Sequence, residues 1–327
     1  MSELRWNPVM EEWVITATHR QDRTFFPPPD YNPLAPTKPG GFPTEIPTPT
    51  YEIAVFENKF PSLQRDPPDP AVGGNDLTPT APAQGVCEVV CYTPEPDLEL
   101  AMLPLAKVEE LVAVWVDRFE TLGAHDFVKY VYIFENKGRE IGVTLAHPHG
   151  QIYAYPFVPP IPAKELKAAK RHFAATGRDL IGEVLARELE EGSRIVAQNG
   201  GFAAFVPFFA RYPYEVHVVP REIRPAISDF DAEERCELAA ILKVVMEKYN
   251  NLWNRSMPYI MLMHQRPTDG DSTQYGYYRF HVEFYPPYRT PDKLKYLAGS
   301  EAGAGAYIND TLAEQTAKSL RDTPPHL

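Results

Sequence analysis

The stretch Ala146–Pro156 reads AHPHGQIYAYP and sets two imidazoles and an amide at alternate positions, His147, His149 and Gln151. Side chains of an extended strand alternate between faces, so this spacing predicts a strand with the three groups in one row. Pro148 holds its own φ near −65° and biases His147 away from helix. A polar row of this kind marks a site rather than a core. The chain carries a second, plainer version of the stretch, FHVEFYPP at 280–287.

Working outward, each version closes a similar series of elements. In the first, the strand CEVVCYTP precedes a helix predicted over Leu105–Leu122, with Leu105, Val108, Leu111, Val112, Trp115, Phe119 and Leu122 on one stripe. The strand YVYIFENKG follows, then the HPHGQ strand. In the second, YEVHVVP precedes a helix predicted over Ala232–Leu252, where Leu238, Ile241, Leu242, Val245, Tyr249 and Leu252 form the stripe. Asp231 and Glu234 have the spacing of a capping box. YIMLMHQ and FHVEFYP complete that copy. Strand–helix–strand–strand thus occurs twice at an offset of roughly 130 residues, which predicts a duplicated α+β protein with two antiparallel-sheet halves and helices packed on them. A charged helical stretch, Ala163–Arg194, separates the copies. The expected halves are 1–162, which carries HPHGQ, and 163–327.

Composition narrows the function. The 327 residues are 44% hydrophobic, enough for a sizeable core. A formal net charge of −12 argues against a general nucleic-acid surface. No apolar run spans a bilayer, and MSELRWNPVMEEWVITATHR has no signal-peptide block, so no membrane partner is expected and the chain reads as cytoplasmic. Three cysteines make no disulfide framework, and Cys87 and Cys91 read as small core residues of one strand. The 35 prolines concentrate early; Phe26–Pro49 reads as an irregular arm that wraps a surface, and Pro67–Gln84 is a second such patch.

The chemistry follows from residue types. A neutral imidazole is a competent nucleophile at neutral pH, so His149 is the candidate catalytic group. Gln151, one step along the face, can donate to a phosphoryl oxygen as charge shifts in the transition state. Upstream, FENKGREIGVTLA brings Asn136, Gly142 and Thr144 into a turn able to cradle phosphate through amides and a hydroxyl.

HPHGQ preceded by FENKG resembles the galactose-1-phosphate uridylyltransferase family of the histidine-triad superfamily. The resemblance covers nearly the whole chain: RWNPVMEEWVITATHRQDR, VFENKF, FENKG…HPHGQI, GSRIVAQNGGFAAFVPFFARYPYEVHVVP and FYPPYRTPDKLKYLAGSE. It implies a histidine-triad-like fold in each half. It also implies that His149 takes the uridylyl group from UDP-glucose and passes it to galactose 1-phosphate by a ping-pong route, with Gln151 on the phosphoryl oxygens. Arg20 and Arg23 match arginines that reach the nucleotide phosphates from a partner subunit, where their forked donors suit phosphate. Asn58 and Asn136 match nucleotide-contacting asparagines. Lys295, Tyr296 and Glu301 match the segment that meets the hexose across the interface of a homodimer.

The family carries two metal sites. The first resembles nothing intact here: the arm LAPTKPGGFPTEIP has no cysteine, Pro96 stands where a histidine belongs, and only His147 remains. That zinc site is expected to be absent, with His147 keeping a positioning role. Glu165, His264 and His281 match the second site, and Glu283 replaces its last histidine. These four are expected to hold one structural divalent metal, zinc or iron. The degenerate second copy lacks the row, so one active site per chain is expected. Lys59 and Val143 also depart from the family pattern. Two readings stay beside the leading one: a related nucleotidyltransferase or phosphorylase that uses an ADP-sugar or passes the nucleotide to phosphate, and a silent nucleotide-sugar binder.

Overall fold

The computed structural model of the chain describes residues 2–22, 27–28 and 31–325. Its strands in chain order are β1 (Ser2–Asn7), β2 (Glu12–Ala17), β3 (Ala54–Glu57), β4 (Thr80–Pro82), β5 (Val86–Cys91), β6 (Tyr130–Lys137) and β7 (His149–Tyr155). The second half supplies β8 (Ile195–Gln198), β9 (Phe202–Phe205), β10 (Val216–Pro220), β11 (Tyr259–His264), β12 (His281–Tyr285), β13 (Tyr288–Thr290) and β14 (Lys293–Leu294). The helices are α1 (Leu105–Gly123), α2 (Pro160–Thr176), α3 (Leu180–Glu191), α4 (Ala232–Leu252) and α5 (Ala313–Asp322).

Nine strands form one antiparallel sheet in the order β3-β5-β7-β6-β11-β12-β10-β9-β8. Read outward from the centre, β6-β7-β5 on one side matches β11-β12-β10 on the other, so the two copies meet edge to edge about an approximate twofold. The junction is the β6–β11 pair, in which Met261 lies opposite Glu135. The central strands thereby lose the exposed edges each copy would present alone.

The amphipathic stripes place both helices on one face. α1 buries Val108, Leu111, Val112, Trp115, Val116, Phe119 and Leu122. α4 buries Leu238, Ile241, Leu242, Val245 and Tyr249, and its Asp231–Glu234 capping box is formed. These residues join Val86, Val131, Ile133, Ile152, Val216, Val218, Met261 and Val282 in a single core that runs through both copies. Fully burying each such side chain stabilises the fold by about 1.5–3 kcal/mol, so sharing one core makes the halves mutually dependent.

The opposite face carries the chemistry. Cross-strand partners there are Val89–Gln151, Gln151–Phe134, Phe134–Leu262, Leu262–Glu283 and Glu283–His217, a row that crosses both copies. Over the second copy α2 and α3 lie on this face: Leu185 of α3 packs with Phe205 and Val219, and Glu165 of α2 reaches His264, while Leu166 and Ala169 pack on Tyr275 and Tyr278. Over the first copy it is bordered by the arm, whose Leu34 and Ile46 pack on Val89 and Cys91. Tyr132, Phe134, Ile260, Leu262 and Tyr285 form an apolar ridge between the two regions.

Candidate functional site

β7 positions His149 and Gln151 on the chemical face, and Gly150 between them sits where a Cβ would collide with Tyr92 Oη. His149 Nδ1 donates to the His147 carbonyl over 2.7 Å. That bond assigns the ring proton to Nδ1 and makes Nε2 the lone-pair nitrogen. The expected three-membered row narrows to two. The strand begins at His149, and His147, only 2% exposed, turns its ring into the protein instead. Its Nδ1 faces Asn32 Nδ2 at 3.0 Å, and its Nε2 lies 2.8 Å from the Thr93 carbonyl and 2.7 Å from Tyr51 Oη. Burial lowers the pKa of this ring below its ordinary value. One imidazole with both nitrogens hydrogen-bonded, beside an amide and a carbonyl, does not fit zinc. Nearby Cys91 is held as a thiol, its pKa pushed up to about 12 by burial.

Two cavities meet at His149. The first, of about 260 Å3, is lined by Asn58, Lys59, Phe60, Val89, Gln151 and the arm residues Tyr31, Pro33 and Leu34. The second, of about 220 Å3, is lined by Glu99, Asn136, Lys137, Gly138 and Arg139. His149 and Thr144 line both. Asn58 is shaped by its own loop: its Oδ1 accepts from Phe60 N at 2.9 Å, and its amide donates to the Cys87 carbonyl at 2.8 Å. Gly138 takes φ of 105°, and a Cβ there would run into Pro258. Gly142, at φ of 89°, closes the following turn by donating to the Arg139 carbonyl at 3.0 Å, and lines neither cavity.

The remaining expected substrate residues lie apart from His149. Arg20 Nη1 donates to the Phe60 carbonyl at 2.9 Å, behind the loop that carries Asn58. Arg23 lies outside the described residues. Lys295 Nζ donates to Glu301 Oε1 at 3.1 Å, and hydrogen bonds from backbone amides and from Lys295 hold the Glu301 carboxyl down at about 2. Tyr296 is 76% exposed. None of these three lines either cavity of its own chain.

The second copy brings Glu165, His264, His281 and Glu283 together, with one donor atom of each within 4.8 Å of the others. His264 Nδ1 lies 2.8 Å from Glu165 Oε2. His281 Nε2 lies 3.8 Å from Glu165 Oε2 and 3.6 Å from Glu283 Oε1. His281 Nδ1 donates to the Arg279 carbonyl at 3.1 Å, which turns Nε2 toward the carboxylates. Tyr278 Oη steadies Glu165 at 2.8 Å. Burial disfavours charge on His264, but Glu165 and Glu283 outweigh it and lift its pKa to about 9. Against the same burial, His217, His264 and His281 hold Glu283 well below the carboxylate range. Glu215 adds a third carboxylate, bonded to His217 at 2.8 Å, while Arg211 Nη2 meets Glu283 at 3.1 Å. Without an ion, protonated His264 offsets part of this negative charge; a divalent cation held by the two neutral imidazoles would take its place. Two imidazoles and two carboxylates this close fit such an ion, whose bonds to N and O are about 2.0–2.2 Å.

Sequence reading missed His217 and Glu215, although YEVHVVP sets them at alternate positions in the way HPHGQ does. It also missed Arg139, Asn32 and Tyr51, which no local pattern distinguishes.

Fold and site together define a duplicated α+β protein in which one copy keeps the histidine–glutamine pair and the other a carboxylate–histidine cluster. The models of the galactose-1-phosphate uridyl transferase N-terminal and C-terminal domains match residues 1–159 and 165–326. The chain belongs to this galactose-1-phosphate uridyl transferase family. It is 42% identical to a galactose-1-phosphate uridylyltransferase of Thermotoga maritima over 99% of both chains. It is 36% identical to one of Streptomyces lividans over 99% of this chain and 84% of that one. Among solved structures, a uridylyltransferase matches with a TM-score of 0.86 and 32% identity over 98% of each chain. No helix among the described residues is long and apolar enough to cross a membrane.

Proposed function

We propose that the protein moves a uridylyl group from UDP-glucose to galactose 1-phosphate through a covalent uridylyl-His149. The observation that carries this reading is the place of His149 on both cavities, with Nδ1 committed to the His147 carbonyl. Nε2 attacks the α-phosphorus of UDP-glucose; the N–P bond forms, the bridging P–O bond breaks, and glucose 1-phosphate leaves. A phosphate oxygen of galactose 1-phosphate then attacks the same phosphorus. The P–N bond breaks, UDP-galactose departs, and neutral His149 is restored. Gln151 donates to a non-bridging oxygen in both steps, and Thr144 and Asn136 hold the phosphoryl groups. The apolar walls of the first cavity suit a base and ribose, and Arg139 is the cation the second cavity offers a sugar phosphate; Lys137 there is paired with Glu99 at 2.7 Å.

In this reading residues 1–162 carry the nucleophile and 163–327 the metal and the hexose segment. Lys295, Tyr296 and Glu301 serve the partner's site in a homodimer, as do Arg20 and Arg23. The exposure of Tyr296, Leu297 and Ile308 supports an interface there. Glu165, His264, His281 and Glu283 would hold zinc or iron. The ion would supply structural cross-linking, tying α2 to β11 and β12 on the far side of the apolar ridge from His149. We place the enzyme in the cytoplasm.

The test is isotope exchange. Labelled glucose 1-phosphate enters UDP-glucose with no galactose 1-phosphate present if the transfer is ping-pong. Exchange that requires the second sugar phosphate contradicts a covalent intermediate.

A further inference from the structure

We propose that the N-terminal arm positions the nucleophile: Asn32 and Tyr51 lock the His147 ring, and the His147 carbonyl in turn sets the tautomer and aim of His149. The inference rests on the reading of His149 as the nucleophile, and it assigns positioning work to two residues that act through His147.

The hydrogen-bond accounting around His147 fixes its tautomer. Asn32 Oδ1 accepts from Leu34 N at 3.0 Å, so its amide nitrogen is the group that faces His147 Nδ1, also at 3.0 Å. A ring nitrogen that accepts carries no proton, so the neutral imidazole holds its proton on Nε2. That N–H points at the Thr93 carbonyl and at Tyr51 Oη, 2.8 and 2.7 Å away. Tyr51 Oη has acceptors for its own proton in the Thr93 carbonyl at 2.6 Å and the Leu34 carbonyl at 3.3 Å, which leaves a lone pair for His147. Every polar atom of a nearly inaccessible ring is thereby satisfied from two sides, and rotation in either direction breaks bonds that water cannot replace.

The next link is covalent. The carbonyl of His147 accepts from His149 Nδ1, and the carbonyl of Pro148 accepts from Tyr92 N at 3.2 Å. Pro148 fixes φ on the far side of that peptide plane and narrows the backbone conformation of His147, so the plane of the His147 carbonyl is held between the locked ring and the anchored Pro148. The arm that supplies Asn32 also walls the first cavity with Tyr31, Pro33 and Leu34. Leu34 and Ile46 anchor that arm on Val89 and Cys91 of the sheet. One segment thus shapes the cavity and orients the nucleophile beside it.

Tyr51→Phe is the cleaner variant, because Tyr51 lines none of the cavities beside His149. Asn32→Ala is the second. Each is mixed with UDP-glucose labelled in the α-phosphate, and three quantities are read: the single-turnover rate of covalent labelling, its amplitude, and the Kd for UDP-glucose. The amplitude counts folded sites, so the rate constant reports orientation alone. The expected result is a rate constant lower by about 10- to 100-fold, the scale of a small misplacement of a reacting group, with Kd within about twofold of wild type. A rate constant unchanged in both variants, with loss confined to amplitude or to Kd, overturns the inference. Wild-type protein that takes no label overturns the reading of His149 itself, a result distinct from labelled wild type with unaltered variants.

Discussion

β7 and β12 occupy matching places in the two copies, and each presents polar side chains to the same face of the sheet. On β7 that face opens: His149 and Gln151 border two cavities, and the hydrogen bond to His149 comes from its own backbone. On β12 His281 makes the same kind of bond, to the Arg279 carbonyl, but it and Glu283 are buried and face one another, Glu165 and Arg211 along a cavity walled by α2 and α3. The scaffold is the same and the covering differs. An irregular arm walls the cavity over the first copy, whereas over the second α2 and α3 wall a cavity of about 270 Å3 and bring in Glu165. The apolar ridge of Tyr132, Phe134, Ile260 and Leu262 keeps the charges of one region from those of the other. In the proposed account duplication separates reactivity from metal cross-linking, and the two can be perturbed one at a time.

The sharpest break is His149→Ala, which abolishes covalent labelling and transfer while leaving metal content and thermal midpoint near wild type. His264→Ala acts on the other copy. It strips the buried carboxylates of a partner and costs about 3–5 kcal/mol of stability, read by denaturant unfolding, and metal content falls. The labelling rate per folded site stays near wild type; a large drop in that rate would show the two regions to be coupled. Gln151→Ala removes a donor to the phosphoryl oxygens and slows the chemical step by about 2–4 kcal/mol. An unchanged single-turnover rate would remove Gln151 from the mechanism.

pH separates the copies further. In chelator-treated protein the folded pKa of His264 is raised to about 9 against 6.5 for the ordinary group. Its contribution is therefore fully present below about 6.5 and is lost as pH rises through about 9, by at most roughly 3 kcal/mol. Metal-loaded protein, its imidazole held neutral by the ion, has a flatter unfolding profile over that range. The smallest effect is Asp231→Ala, which removes the cap of α4 on the helical face and costs about 1 kcal/mol with no change in transfer.

How much of this was legible in the sequence depends on the range of the interaction that decides each feature. The stripes of α1 and α4, the Asp231–Glu234 box and the twofold series of elements are local and follow from periodicity. The Glu165, His264, His281 and Glu283 cluster was legible through family resemblance, since its members are scattered over the second half. The inward turn of His147 was not legible, because it depends on Asn32, 115 residues earlier in an arm without periodic pattern. The merging of both copies into one sheet was hidden for the same reason: alternation specifies faces, and nothing in it specifies which edge β6 meets. Arg139, in a short turn, became a candidate only when the fold set it at the mouth of a cavity.

The central claim is that one histidine of the first copy carries the transferred group. It is tested by incubating the protein with UDP-glucose labelled in the α-phosphate and no acceptor, denaturing in alkali and mapping the label. The account predicts an acid-labile, alkali-stable phosphoramidate on His149 and on no other residue. Reversible binding of UDP-glucose with no retained label, or label on any other side chain, would contradict it.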